Sequence, residues 1–170
     1  MNENDIGKEV VDAAIIVHRE LGPGLLETVY EVVLLDELRK RGLRAEHQVP
    51  AAIECRGIRF NEGFRADIVV EEKVIIELKS VERVTNAHKK QLLTYLKLTG
   101  MRLGYLLNFG EAMMKQGMTR TVTGIHEDRH LGDLGVSARE DLRSMQRGRQ
   151  SARPAPDASS AITPARPATP

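Results

Sequence analysis

The sequence predicts an α/β (α+β) fold in the order helix, helix, three-strand meander, helix, strand. Apolar positions recur at steps of three and four over residues 6–21, 25–38 and 86–99, and apolar runs of strand length occupy much of residues 44–79 and 102–109. Helical and strand patterns interleaved in this way exclude a helix bundle or a sandwich and require a sheet flanked by helices.

Each element has a local cause. Asp5 is the expected N-cap of a first helix whose apolar positions are Ile6, Val10, Ala13, Val17 and Leu21, and Gly22-Pro23-Gly24 stops it. A second helix begins at Leu25, runs through Val29, Val32, Val33, Leu35 and Leu38, and ends in the basic turn Arg39-Lys40-Arg41 ahead of Gly42. Strands are predicted over residues 44–53, in a short arm over 58–60, and over 64–70 and 73–79. Residues 86–99 form the third helix, closed by Gly100, and residues 102–109 a buried strand. A last, weakly patterned strand covers residues 118–122.

Beyond this body the composition changes. Five of the seven prolines fall in the last seventeen residues among Ala, Ser and Thr, a mixture that cannot bury enough apolar surface to offset its ordering entropy. The expected organisation is a domain over residues 1–124 and a basic, largely disordered tail over 125–170, with at most a short basic helix at 136–149. Residues 137–170 carry six basic and three acidic side chains, which leaves 19 basic against 21 acidic in residues 1–136. A near-neutral body offers no broad field for a polyanion, so any phosphate site must concentrate its positive charge locally. Aromatics make up 4% of the chain and Trp is absent, so base stacking is not its main means of holding a ligand. No apolar run approaches the roughly 20 residues of a membrane helix. The N-terminus lacks the pattern of a secretory signal, and Cys55, the single cysteine, has no partner for an internal disulfide. A cytoplasmic location is expected.

The pentapeptide Ile75-Ile76-Glu77-Leu78-Lys79 is the most informative. Alternation places Glu77 and Lys79 on one face of a strand that is otherwise apolar on both sides. Such a pair on a surface strand is ordinarily solvated, but charges in a doubly buried strand require partners. If residues 71–73 form a three-residue loop, Asp67 lies opposite Glu77 with Cβ atoms roughly 5 Å apart. A two-residue loop would put the two carboxylates on opposite faces. Facing carboxylates repel, and a hard divalent cation such as Mg²⁺ or Mn²⁺ would turn that repulsion into coordination. Lys79 would then point at whatever the cation holds, the alternative being a plain salt bridge to Glu77 or Asp67. Glu27, in the first turn of the second helix, is by itself better explained by capping and by its favourable interaction with the helix dipole than by a role in chemistry. Tyr30 suits a core position with a tethered hydroxyl. His88, Gln91, Tyr95 and Thr99 form a polar stripe on the third helix, either an amphipathic edge or a row of donors facing a phosphate.

Taken together, GPGLLETVYE, FRADIVV, VIIELKS and HKKQLLTYLKLTG resemble the Gly-x-x-Glu-x-x-Tyr family of the PD-(D/E)XK nuclease superfamily, over about residues 6–122. The resemblance implies a nuclease-like core, a central mixed sheet with an antiparallel three-strand meander flanked by helices, and one or two divalent metals. It makes Glu27 the helix carboxylate, Asp67 the first strand acid, Glu77 and Lys79 the acid and lysine of the E-x-K signature, and Gln91 and Tyr95 the helix pair. Asp67, Glu77 and the carbonyl of Leu78 would hold Mg²⁺ or Mn²⁺, with Glu27 assisting, while Tyr30 and His88 would contact substrate. The implied activity is hydrolysis of nucleic acid phosphodiesters, DNA being the expected partner, and a homodimer would supply two sites for two strands. The alternatives are a non-catalytic nucleic-acid or protein-binding module on the same fold, and an acid–lysine network with no ligand.

Overall fold

The computed structural model describes residues 1–124, which form a five-stranded sheet between two helical layers. The elements are α1 (Glu3–Leu21), α2 (Glu27–Lys40), β1 (Ala45–Cys55), β2 (Ile58–Val70), β3 (Val74–Lys79), α3 (Asn86–Thr99), β4 (Leu103–Asn108), the single turn α4 (Met114–Gly117) and β5 (Met118–Val122). Strand order is β1-β2-β3-β4-β5. The meander β1-β2-β3 is antiparallel, α3 crosses over to place β4 parallel to β3, and β5 returns antiparallel to β4. The α/β fold class is the predicted one. The expected tail, including the short basic helix at 136–149, lies outside the described residues.

Two cores explain why β3 and β4 are buried on both faces. Ile6, Val10, Ala13 and Val17 of α1 and Tyr30, Leu34 and Leu38 of α2 pack with Val74, Ile76, Leu78, Leu103, Tyr105 and Leu107 on one side of the sheet. On the other side Leu92 and Leu96 of α3 pack with Val69, Ile75 and Leu106. Gly104 allows α3 this close: a Cβ there would lie 2.8 Å from Leu92.

Several boundaries differ from the sequence reading. Asn2, not Asp5, caps α1, because the Asn2 side chain accepts from the Asp5 amide at 2.9 Å and Asp5 already lies inside the first turn. Helix α2 starts at Glu27 rather than Leu25. The chain from Gly22 to Leu26 is held outside the helix by left-handed Gly22 and Gly24 and by Tyr30, whose hydroxyl donates to Gly22 O at 2.7 Å and accepts from Leu25 N at 3.1 Å. The arm at 58–60 and the strand at 64–70 are one long strand, β2, which pairs with β1 along both lengths through an irregularity between Ala51 and Ile53. The short turn α4 carries no apolar periodicity from which it could be predicted.

The β2–β3 hairpin settles the register. Val70 pairs with Val74 and Ile68 with Ile76, so residues 71–73 form the three-residue loop, and continuing the register by one step sets Asp67 opposite Glu77. Glu71 and Glu72 both take left-handed φ angles, 51° and 53°, without glycine. Arg44 supports this turn. Its amide donates to Glu71 Oε1 at 2.7 Å and its guanidinium lies 3.2 Å from Glu72 Oε1.

Candidate active site

The carboxyl end of β3 brings together the charged side chains that the sequence singles out. Glu77 is 2% exposed, and its Oε1 accepts from Lys79 Nζ at 2.8 Å. The same ammonium donates to the carbonyl of Leu78 at 2.8 Å. Glu77 Oε2 is buried and has no hydrogen-bond partner, the only such side-chain atom among the described residues. Asp67 Oδ2 accepts from the amide of Leu78 at 2.7 Å. The Asp67 side chain thus takes over as acceptor for the β3 backbone just where the β2–β3 pairing ends.

The electrostatics follow from crowding three ionisable side chains where β2 and β3 lie side by side. Burial first, and then the charge of Asp67, pushes the Glu77 carboxyl up to about 7, against the opposing hydrogen bond from Lys79. Burial also raises Asp67, although the Leu78 amide and Lys79 pull the other way. For Lys79, burial disfavours the ammonium, but the hydrogen bond to Glu77 and the surrounding carboxylates outweigh it and the pKa is raised. Lys79 is therefore a cation at every physiological pH, whereas Glu77 is divided between its two forms near neutrality.

Neighbouring elements close around this trio. Glu27 is exposed and does not cap its own helix; its Oε1 accepts from the Ser80 amide at 3.0 Å, tying the start of α2 to the exit of β3. Its charge acts on Asp67, Glu77 and Lys79 alike. From the opposite layer, Gln91 Nε2 donates to Tyr95 Oη at 2.7 Å, and the Tyr95 ring stacks on Phe64 at 4.1 Å. Burial, and after it the charges of Glu77 and Asp67, raises the Tyr95 pKa, so the phenol stays protonated.

Two expected substrate contacts have other partners. Tyr30 is fully buried against Phe109 at 4.3 Å, and its hydroxyl holds the loop before α2 rather than facing solvent. His88 forms the capping box of α3, its Nδ1 accepting from the Thr85 amide at 3.3 Å. Thr99 bonds back to Tyr95 O at 2.8 Å within its helix, and of the polar stripe Tyr95 is the member on which the charges of Glu77 and Asp67 act.

Sequence reasoning missed three residues around the site. Asn108, fully buried, pairs with Lys79 across the β3–β4 ladder and grips Val81, accepting from its amide at 3.0 Å and donating to its carbonyl at 2.8 Å. Glu31, one turn beyond Glu27, is buried at 7% exposure beside Asp67, and Gln48 faces it from β1. An acidic residue in an amphipathic helix and an amide in a strand carry no signal of this pairing until β1 is laid on α2.

The donors present suit a hard divalent cation. Asp67 and Glu77 provide two close carboxylates, one with an orphaned oxygen, and the Leu78 carbonyl provides a neutral third donor. Among the described residues no group of three or more His, Cys, Asp and Glu side chains is placed to hold a metal. No helix among the described residues is long and apolar enough to cross a membrane. A family model described as the PD-(D/E)XK nuclease superfamily matches residues 4–121. Comparisons with curated proteins and with solved structures give no significant match.

Proposed function

The chain belongs to the PD-(D/E)XK nuclease superfamily, and from that premise we propose that it is a divalent-metal-dependent phosphodiesterase that hydrolyses nucleic acid, with DNA as the substrate. The observation that carries this reading is Glu77: a carboxylate in a doubly buried strand, beside a second carboxylate, with one oxygen left without a partner. A ligand-free acid–lysine network accounts for the Lys79 contact but leaves that oxygen unexplained, since a buried acceptor without a partner is costly.

Asp67, Glu77 and the carbonyl of Leu78 would hold Mg²⁺ or Mn²⁺, which when bound supplies Lewis acidity to the phosphate and lowers the pKa of water. Lys79 stays charged and, with two of its three donors on Glu77 and Leu78, keeps one that can stabilise the charge that builds on the phosphate oxygens. Glu27 keeps the exit of β3 against α2 through Ser80 and holds negative charge near Lys79. Gln91 and the protonated Tyr95 offer donors from the α3 side for a phosphate oxygen. Location supports the same reading, because ligands of open α/β sheets bind beyond the carboxyl ends of the parallel strands, here β3 and β4.

The test is cleavage of single-stranded, duplex and branched DNA with Mg²⁺, Mn²⁺ or EDTA, by the wild type, Asp67→Ala and Lys79→Ala. Metal-dependent cleavage by the wild type, lost in both variants, is expected. Equal cleavage by all three proteins would defeat the proposal, and DNA binding without cleavage would favour a non-catalytic binding module.

A further inference from the structure

We infer that Glu31 and Gln48 are a positioning pair that aims the carboxylate of Asp67, by holding a kink that passes through β1 and β2 at the point where they face each other. The inference rests on the proposed function only for its catalytic consequence. Its geometric content concerns the metal-free protein.

The kink is visible in the ladder. His47 pairs with Ile68 and Val49 with Ala66, so Gln48 and Asp67 face each other between two regular pairs, yet they form no pair themselves. At this point both strands exchange faces. Ala45, Ile68 and Val70 belong to the core beneath α1 and α2, whereas Val49, Ala51, Ala66 and Phe64 belong to the core beneath α3. Strict alternation cannot hold through such a crossing, so the direction of Asp67 depends on the local backbone rather than on strand parity.

Gln48 produces the crossing with a left-handed φ of 50°, a conformation that a residue with a Cβ keeps only when its surroundings hold it. The hold comes from Glu31. Gln48 Nε2 lies 3.0 Å from Glu31 Oε1 and 2.9 Å from Oε2, and His47 Nδ1 lies 3.2 Å from Oε1. A carboxylate buried to 7% exposure needs hydrogen-bond partners, and clamping the Gln48 amide supplies them. With the kink clamped, Asp67 reaches Leu78 N at 2.7 Å, and that hydrogen bond reports its orientation.

The experiment is amide hydrogen exchange by NMR on the full-length, metal-free protein, comparing wild type, Gln48→Gly, Glu31→Ala and Glu31→Gln. Glycine accepts the left-handed φ, so Gln48→Gly removes the clamp without straining the backbone. Exchange at Leu78 should accelerate about tenfold or more in Gln48→Gly and Glu31→Ala, with Val74 to Ile76 unchanged, and Glu31→Gln should restore part of the protection. Mn²⁺ affinity should fall about 10–100-fold in the same two variants. Unchanged protection at Leu78 in Gln48→Gly, or an equal loss along all of β3, overturns the inference. Should Glu31→Ala fail to fold, Gln48→Gly decides. A wild type that cleaves nothing would defeat the proposed function and leave the exchange result standing.

Discussion

Glu77 links pH to stability and, on the proposed function, to metal binding. Its carboxyl titrates at about 7 in the folded protein against an ordinary value of 4.5, so the native state binds this proton more tightly than the unfolded chain. Stability associated with that proton is fully present below pH 4.5 and is lost as pH rises to about 7, a change on the order of 3 kcal/mol. Metal-free thermal unfolding should therefore show a melting temperature that falls from pH 5 to pH 7.5, and Glu77→Gln should flatten the fall. A slope that is the same in wild type and variant would contradict this. For activity, Asp67→Ala and Lys79→Ala should each lower the rate of cleavage by more than about 100-fold, measured at saturating Mn²⁺. The E-x-K pair and Asp67 are legible in sequence because two charges in an apolar strand, and a third at hairpin distance, stand out against their surroundings. Glu31 and Gln48 are not, since their meaning comes from a crossing that breaks the alternation on which sequence reading depends.

At the level of elements, α2 connects the site to the core. Its first turn holds Glu27 on Ser80, and Tyr30 straps the glycine-rich loop that precedes it. Tyr30→Phe removes a buried hydroxyl with two backbone partners and should destabilise the fold by about 1–3 kcal/mol, seen as a lower urea midpoint with an unchanged m-value. Because Tyr30 does not reach solvent, KM for DNA should hardly change. A raised KM with unaltered stability would restore it to the substrate surface. Helix α3 and strands β3 and β4 are legible to within a residue, since Gly100 ends one and apolar runs mark the others. The start of α2 is not, because Leu25 and Leu26 fit the helical period while the Tyr30 hydroxyl keeps Leu25 outside the helix. Joining residues 58–60 to 64–70 as β2 likewise escapes sequence reading: the exposed polar middle, Asn61 and Glu62, resembles a loop until β1 is seen to pair alongside it.

For the whole molecule, charge is unevenly divided along the chain. Residues 1–124 contain both cores and every proposed site residue, while residues 137–170 add six basic side chains against three acidic ones. A chain ending at Gly124 should fold and cleave at an unchanged kcat, with weaker DNA binding and a shallower dependence on salt concentration. Loss of cleavage on truncation would move the catalytic function into the tail. If Asp67 and Glu77 stand close because a divalent cation makes their closeness favourable, calorimetric titration of the metal-free protein with Mn²⁺ will register it. Binding should be saturable, strengthen as pH rises through 7 and disappear in Asp67→Ala and Glu77→Gln. Absence of heat in the wild type, or the same isotherm in all three proteins, would contradict it.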